Sequence, residues 1–294
     1  MRINHNVPAI VTQSALFRVN RDLSKSLEKM STGLRINRAS DDAAGLGVSE
    51  NLRTQVRGTD QAIRNAQDGI AAVSIAEGAA NEISEILQRM RELAIQSAND
   101  TLTSVERGYT NAEYRQLITE IDRIAEVTNY NGMKLISSTG ESSNERFGIG
   151  GVGGDKGSAL WIDANSSYGV DSITVTIDTL TSAQLGTGEN TIASTYLTSQ
   201  SVAATAISVL DVAIDSVNTM RSNMGAFINR MEHAINNLLV SNSNQQSAES
   251  TIRDVDFAQE TTRFTRNQIL TQSATAMLSQ ANMIPQSTLQ LLGA

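Results

Sequence analysis

The 294-residue chain contains no cysteine, only two prolines and 4% aromatic residues. Without a thiol it has no disulfide framework, no thiolate metal site and no cysteine nucleophile. Pro8 and Pro285 stand near the two ends, so the long interval between them holds no ring that would break a helix. A net charge of -8 argues against a nucleic-acid partner, whose phosphates must be neutralised by cations. Uninterrupted apolar runs are only a few residues long, and no membrane insertion is expected. The opening "MRINHNVPAIVTQ" lacks the apolar stretch and small-residue cleavage site of a secretory signal, so any export is expected to use another route. What is abundant is Ala, Ile, Leu, Val and Met, a 40% hydrophobic content suited to close packing of slender helices.

Those residues recur in steps of three and four. Leu52, Val56, Thr59, Ile63, Ala66, Ile70, Val73, Ala76, Ala80, Ile83, Leu87, Met90 and Ala94 make one near-heptad row, which predicts a helix from about Asp41 to about Asn99. At about 1.5 Å per residue it would run roughly 85 Å. A second helix carries Tyr114, Leu117, Ile121, Ile124 and Thr128 and closes at "NYNG", Asn129 to Gly132. A Gly-, Ser- and Thr-rich region follows, in which Ser172 to Ile177 alternates polar with β-branched residues. After Ser199 the helical rhythm returns through Ile207, Leu210, Ile214, Val217, Met224, Ile228, Met231, Ile235 and Leu238, with Arg221 at one step. The fold class is therefore mainly α: a long antiparallel coiled-coil-like helical rod with a small β-hairpin element.

The two ends are weaker. Leu16, Val19, Leu23, Leu27, Met30 and Leu34 form one stripe; Ile252, Val255, Phe264, Ile269, Leu270, Met277, Leu278 and Ile284 form another among many Gln, Ser and Thr. Ordering about 30 residues costs roughly 1–2 kcal/mol each in backbone entropy, and one amphipathic helix facing water cannot offset that. Both ends should fluctuate in a dilute monomer and fold when identical copies cover their stripes. Between the weak and strong stripes lies "STGLRINRASDDAAGL". Gly33 can end the first helix, Ser40 with Asp41 and Asp42 can cap the next, and Arg35 and Asn37 lie in a polar, non-periodic run. This reads either as an ordinary helix–helix loop or as a joint between two bodies, and its position favours the joint.

No motif supplies chemistry. "GIGGVG", Gly148 to Gly153, satisfies G-x-G-x-x-G without the flanking strand and helix a dinucleotide site needs, and Lys156 is followed by Gly157, so the phosphate-loop spacing fails. The pairs Asp41/Asp42 and Asp254/Asp256 are explained by helix starts rather than acid–base work. No catalytic residue, metal site or cofactor is expected, and the chain reads as a non-enzyme. Arg89, Arg91, Glu92, Glu113 and Arg115 read as a charged outer face, beside which Leu93 lies off the heptad row and is expected to be exposed. Asn99-Asp100-Thr101 and Asn165-Ser166-Ser167 fit the short glycosylation pattern.

"SLEKMSTGLRINRASDDAAGLGVSENLRTQVRG", "QRMRELAIQSAND", "NYNGMKL", "SNMGAFINRMEHAINNL" and "QILTQSATAMLSQANMIPQSTLQLL" together resemble the terminal regions of bacterial flagellins, in order and over roughly residues 1–140 and 200–294. The resemblance implies a subunit that polymerises into the flagellar filament for motility, exported and located in an external or periplasmic flagellum. A hook–filament junction protein is the alternative within the same fold. It also implies a coaxial inner domain, D0, from residues 1–40 plus 255–294, and a helical domain, D1, from 41–254 with a β tip at about 140–199. The short middle resembles a minimal flagellin without outer domains. Some flagellins carry a zinc protease there, but no His-Glu-x-x-His occurs, and His5 and His233 are the only histidines. By the same resemblance the inner-core assembly residues are Leu16, Leu23, Leu27, Met30, Leu34, Phe264, Ile269, Leu270, Met277 and Leu278. Gly33, Arg35, Asn37, Ser40 and Asp41 make the interdomain joint. Implied partners are further copies of the chain, an export chaperone on the C-terminal helix, the filament cap and hook-associated proteins, and, through Arg89, Leu93 and Glu113, a host Toll-like receptor.

Overall fold

Among its described residues, 5–137, 147, 158–164, 171–187 and 190–292, the computed structural model holds five α-helices, a short 3-10 helix at Ile192–Ser194 and three small two-stranded ladders. The helices are α1 (Val7–Thr32), α2 (Ala43–Ala98), α3 (Ser104–Val127), α4 (Gln200–Arg253) and α5 (Phe257–Leu292). The strands are β1 (Asn129–Tyr130), β2 (Met133–Lys134), β3 (Ser158–Trp161), β4 (Ser172–Val175), β5 (Gly186–Thr187) and β6 (Asn190–Thr191). Contacts divide the chain into one unit of residues 1–54 with 243–294 and another of 55–242.

In the second unit α2 and α4 run antiparallel. Rising positions on α2 meet falling positions on α4: Asp60 Oδ1 accepts from Asn242 Nδ2 at 2.7 Å, Glu77 pairs with Arg221 at 2.9 Å, and Asp211 accepts from Arg91 Nε at 2.6 Å. Val73, Ala76, Ala80, Ile83, Leu87, Met90 and Ala94 are buried in a core shared with Leu210, Ala213 and Val217 of α4 and Tyr114 and Ile121 of α3. α3 starts with a reciprocal cap in which Glu106 Oε2 accepts from Thr103 N at 2.6 Å and Thr103 Oγ1 accepts from Glu106 N at 3.4 Å.

Leu93 corrects the sequence reading: it is buried, 2% exposed, not displayed. A helix flanked by two partners buries more than one heptad row. Ala72, Ala79, Ile86 and Leu93 form a second row beside the first, and the core includes α3 as well as α4. One 18-residue window of α4 reaches a mean hydropathy of 1.3, enough on length and composition to cross a membrane; buried residues such as Ala203, Ala206, Val209 and Leu210 within the helical core contribute to it.

The β residues are distributed more widely than a single tip at 140–199. β1 and β2 pair directly after α3 around Asn131 (φ 50°) and Gly132 (φ 79°), a two-residue turn with both residues left-handed. β3 and β4 pair from Ser158↔Val175 to Trp161↔Ser172, with Ile173 and Val175 buried and Thr174 exposed, the alternation that the sequence carries. This hairpin sits on α2, where Asn65 Nδ2 donates to the Trp161 carbonyl at 3.1 Å. Gly58 makes the approach feasible, since a Cβ there would meet that of Ala164 at 2.6 Å. β5 and β6 form the third ladder. "GIGGVG", Lys156 and Asn165 lie outside the described residues.

In the first unit α1 and α5 run antiparallel: Asn6 Nδ2 donates to the Ala281 carbonyl at 2.9 Å, and Thr271 Oγ1 donates to Asn20 Oδ1 at 3.4 Å. Asn6 also caps α1, its side chain accepting from Ala9 N at 3.3 Å, and Gly33 ends the helix in the left-handed region at φ 74°.

Candidate assembly surface

The α1–α5 pairing buries little apolar surface. α5 turns Glu260, Phe264, Asn267, Thr271, Ala274, Leu278 and Ala281 inward at three-four spacing, and only Glu260 and Ala281 of these are fully buried. On α1 the inward row includes Leu16, Val19, Leu23, Ser26 and Met30, with Ser26 alone fully buried. Five bulky apolar residues of α5 point away: Phe257 (52% exposed), Ile269 (57%), Leu270 (44%), Met277 (61%) and Met283 (60%). The predicted C-terminal stripe is thus two faces, a half-buried one holding Phe264 and Leu278 and an outward one holding Ile269, Leu270 and Met277. The numbering explains it: Leu270 and Met277 are one heptad apart and Ile269 and Met283 two, out of phase with the inward row. Leu27 on α1 is also outward, and Leu34 is half-buried. An open groove of about 440 Å³ on α5 is lined by Thr262, Thr265, Arg266, Ile269 and Leu270. Asp22, Lys25, Lys29, Glu260, Arg263 and Arg266 line a second, charged groove of about 330 Å³ between α1 and α5.

The segment expected as a joint lies inside the first unit and is cross-bonded to the α4–α5 connection. Arg35 N donates to the Arg253 carbonyl at 2.6 Å, Val255 N donates to the Gly33 carbonyl at 3.0 Å, and Leu34 and Asp254 form an isolated antiparallel bridge. Arg35 Nε reaches the Ile252 carbonyl at 3.1 Å, and Asn37 Nδ2 donates to the Leu34 carbonyl at 3.4 Å. The cap of α2 is not Ser40, which is exposed in the turn: Asp42 Oδ1 accepts from Gly45 N at 2.9 Å, one residue before the first helical turn. Asp41 instead accepts from Arg38 N at 3.2 Å and faces Lys25 at 3.7 Å. Burial pushes its carboxyl up, but the Arg38 and Asn37 amides and Lys25 outweigh this and hold it below the ordinary aspartate range.

Sequence reasoning missed the network beside this joint. Glu50 binds Arg253 at 2.6 Å and Arg53 at 3.3 Å, and Arg53 reaches Glu249 at 3.3 Å. Alternating charge on α2 and α4 was the available signal, but pairing across helices needs the register, which local periodicity does not give. Asn242, only 6% exposed on the α4 seam beside Val56 and Asp60, escapes local periodicity for the same reason.

On the second unit Arg89 joins α2 to α3, contacting Glu113 at 2.8 Å and Glu92 at 3.0 Å, and all three are exposed. Donation by its guanidinium to the Glu113 carboxylate, then to that of Glu92, raises the Arg89 pKa above its ordinary value. Among the described residues no group of three His, Asp or Glu side chains is placed to hold a metal ion.

Comparison with known proteins shows where this arrangement belongs. The profile of the bacterial flagellin N-terminal helical region matches residues 3–141, and that of the bacterial flagellin C-terminal helical region matches residues 207–292. A flagellin of Halalkalibacterium halodurans is 43% identical over 99% of this chain and 100% of its own length. The chain belongs to the bacterial flagellin family. The flagellar filament 33 kDa core protein of Treponema phagedenis is 43% identical, with 99% of this chain and all of the relative covered. The crystal structure of Bacillus cereus flagellin is 32% identical and covers 60% of this chain and 88% of that one, with a TM-score of 0.47. This flagellin is a structural, non-enzymatic subunit of the bacterial flagellar filament and polymerises with copies of itself.

Proposed function

We propose that α1 and α5 are the layer through which subunits stack, and that this pair becomes firmly folded only when stacked. The observation that carries the reading is the outer face of α5, where Phe257, Ile269, Leu270, Met277 and Met283 stand toward water, while the face toward α1 sets Asn267, Thr271 and Ala274 between Phe264 and Leu278. In an isolated subunit that face adds nothing to stability; against a neighbouring copy it removes large apolar side chains from solvent, each contributing about 1.5–3 kcal/mol on full burial. Open head-to-tail contact of this kind does not close on itself and grows a helical fibre. Residues 1–40 with 255–294 then act as the inner D0 domain and 41–254 as D1, with Gly33, Arg35, Asn37, Ser40 and Asp41 at the joint. A C-terminal helix with an uncovered apolar face also offers a docking surface to an export chaperone before assembly, and filament cap and hook-associated proteins meet the same ends at the growing and basal positions.

Amide exchange in the free monomer tests the reading. About the first 35 and last 40 residues should exchange fast while α2 and α4 stay protected within 55–242, and both ends should slow in polymer. Equal protection of ends and core in the monomer would end it. A host receptor surface is proposed for Arg89 and Glu113, which are exposed in the isolated chain; Leu93, being buried, serves there only as packing beneath the surface.

A further inference from the structure

Eight of the nine methionines lie among the described residues, in contrasting environments. Met90, Met220, Met224 and Met231 are at most 3% exposed in the α2–α3–α4 core, and Met30 and Met133 are half-buried. Met277 and Met283 are 61% and 60% exposed on the outward face of α5. A thioether is the one side chain on that face that a mild two-electron oxidant converts from apolar to strongly polar. We propose that Met277 and Met283 are oxidation sites that switch the subunit out of the assembling pool, an inference that rests on the stacking role given above to the α5 outer face.

The chemistry balances with a peroxide as oxidant. The sulfur lone pair attacks one oxygen of hydrogen peroxide, the O–O bond breaks as the S–O bond forms, and the displaced oxygen leaves as water after taking the proton. Sulfur is oxidised by two electrons to the sulfoxide and the peroxide is reduced. Access does not depend on whether α5 is folded: on the helix both sulfurs face water, and in a fluctuating end they do so as well. In polymer, neighbouring copies cover them. A sulfoxide oxygen carried into a dry contact without a donor loses its hydration uncompensated. Because the reaction is reversed by reductases specific for each sulfoxide epimer, the lesion can be repaired.

Purified monomer treated with dilute hydrogen peroxide should gain sulfoxide at Met277 and Met283 first by peptide mass spectrometry, with Met90, Met220, Met224 and Met231 intact. Its critical concentration for polymerisation should rise about tenfold or more, and methionine sulfoxide reductases should restore it. The volume-conserving double variant Met277→Leu/Met283→Leu should polymerise equally well with and without peroxide. Unchanged polymerisation of wild-type monomer oxidised at both positions would overturn the proposal, as would an equal peroxide-induced loss in the leucine variant. An unoxidised Met277→Lys/Met283→Lys variant separates the causes. If it polymerises normally, the outer face of α5 is not a subunit contact and the stacking reading falls together with this one. If it fails while oxidised wild type succeeds, only the oxidation proposal falls.

Discussion

α2 and α4 on one side, α1 and α5 on the other, are two antiparallel helix pairs built from similar residues, yet they are held in different ways. The α2–α4 pair, with α3 beside it, puts Val73, Ile83, Leu87, Met90, Leu210 and Val217 at zero exposure. The α1–α5 pair fully buries Ser26, Glu260 and Ala281 and leaves Phe17 at 68% and Met277 at 61%. The first pair is folded by its own core. The second leaves Phe17, Ile269, Leu270 and Met277 facing water, the side that the proposed stacking would cover.

The contrast can be broken at several points. Leu23→Asp with Leu27→Asp should abolish filaments seen by electron microscopy while the thermal unfolding of the α2–α4 core stays unchanged. Normal fibres from that variant would place α1 outside the subunit contacts. Leu87→Ala should act the other way, lowering the unfolding free energy of the core by about 2–5 kcal/mol in a denaturant titration. Thr103→Ala should cost the same core about 1 kcal/mol by removing the α3 cap. Its partner Glu106 has a pKa lowered first by the Thr103 backbone donor and then by its hydroxyl. A depressed folded-state pKa means stabilisation that is present above the unfolded value and lost as pH falls through the folded one, so the Thr103→Ala deficit should shrink in acid. Smallest in stability is Arg89→Ala, which should leave the denaturant midpoint of the core nearly unmoved because the pair is exposed. That variant should nonetheless weaken receptor activation by monomer, and an unaltered response in a reporter cell assay would remove the receptor surface.

Much of the first pair was legible in the sequence. The row from Val56 to Ala94 is buried almost throughout, because a heptad spacing held over so many turns leaves one solution. On α4 the row is carried as much by Ala203, Ala206, Ala213 and Met220 as by the branched residues, and reading for bulk missed the alanines that let the helices approach. Leu93 was misplaced because one row describes one partner, and α2 has two. At the ends the stripe expected from Ile252 to Ile284 is less regular than its bulk suggests: Phe264 and Leu278 share the half-buried face with Asn267, Thr271 and Ala274, and Ile269, Leu270 and Met277 lie on the other. The cap of α2 falls on Asp42, one of the three residues Ser40, Asp41 and Asp42 that the sequence offers, whereas the cross-bonded connection at Arg35 and Arg253 joins residues far apart in the chain, which no local pattern encodes.

That connection has a mechanical consequence. The Arg35–Arg253 and Val255–Gly33 amide bonds are rungs between the outgoing and returning chain, lying across the strand direction as antiparallel rungs do. A pull on either tail along the chain therefore loads both rungs in shear at once instead of peeling them one by one, and the tension is divided between α2 and α4. A rotating fibre whose links shared load in this way would transmit torque through two backbones per subunit at that point, so that neither strand carries it alone.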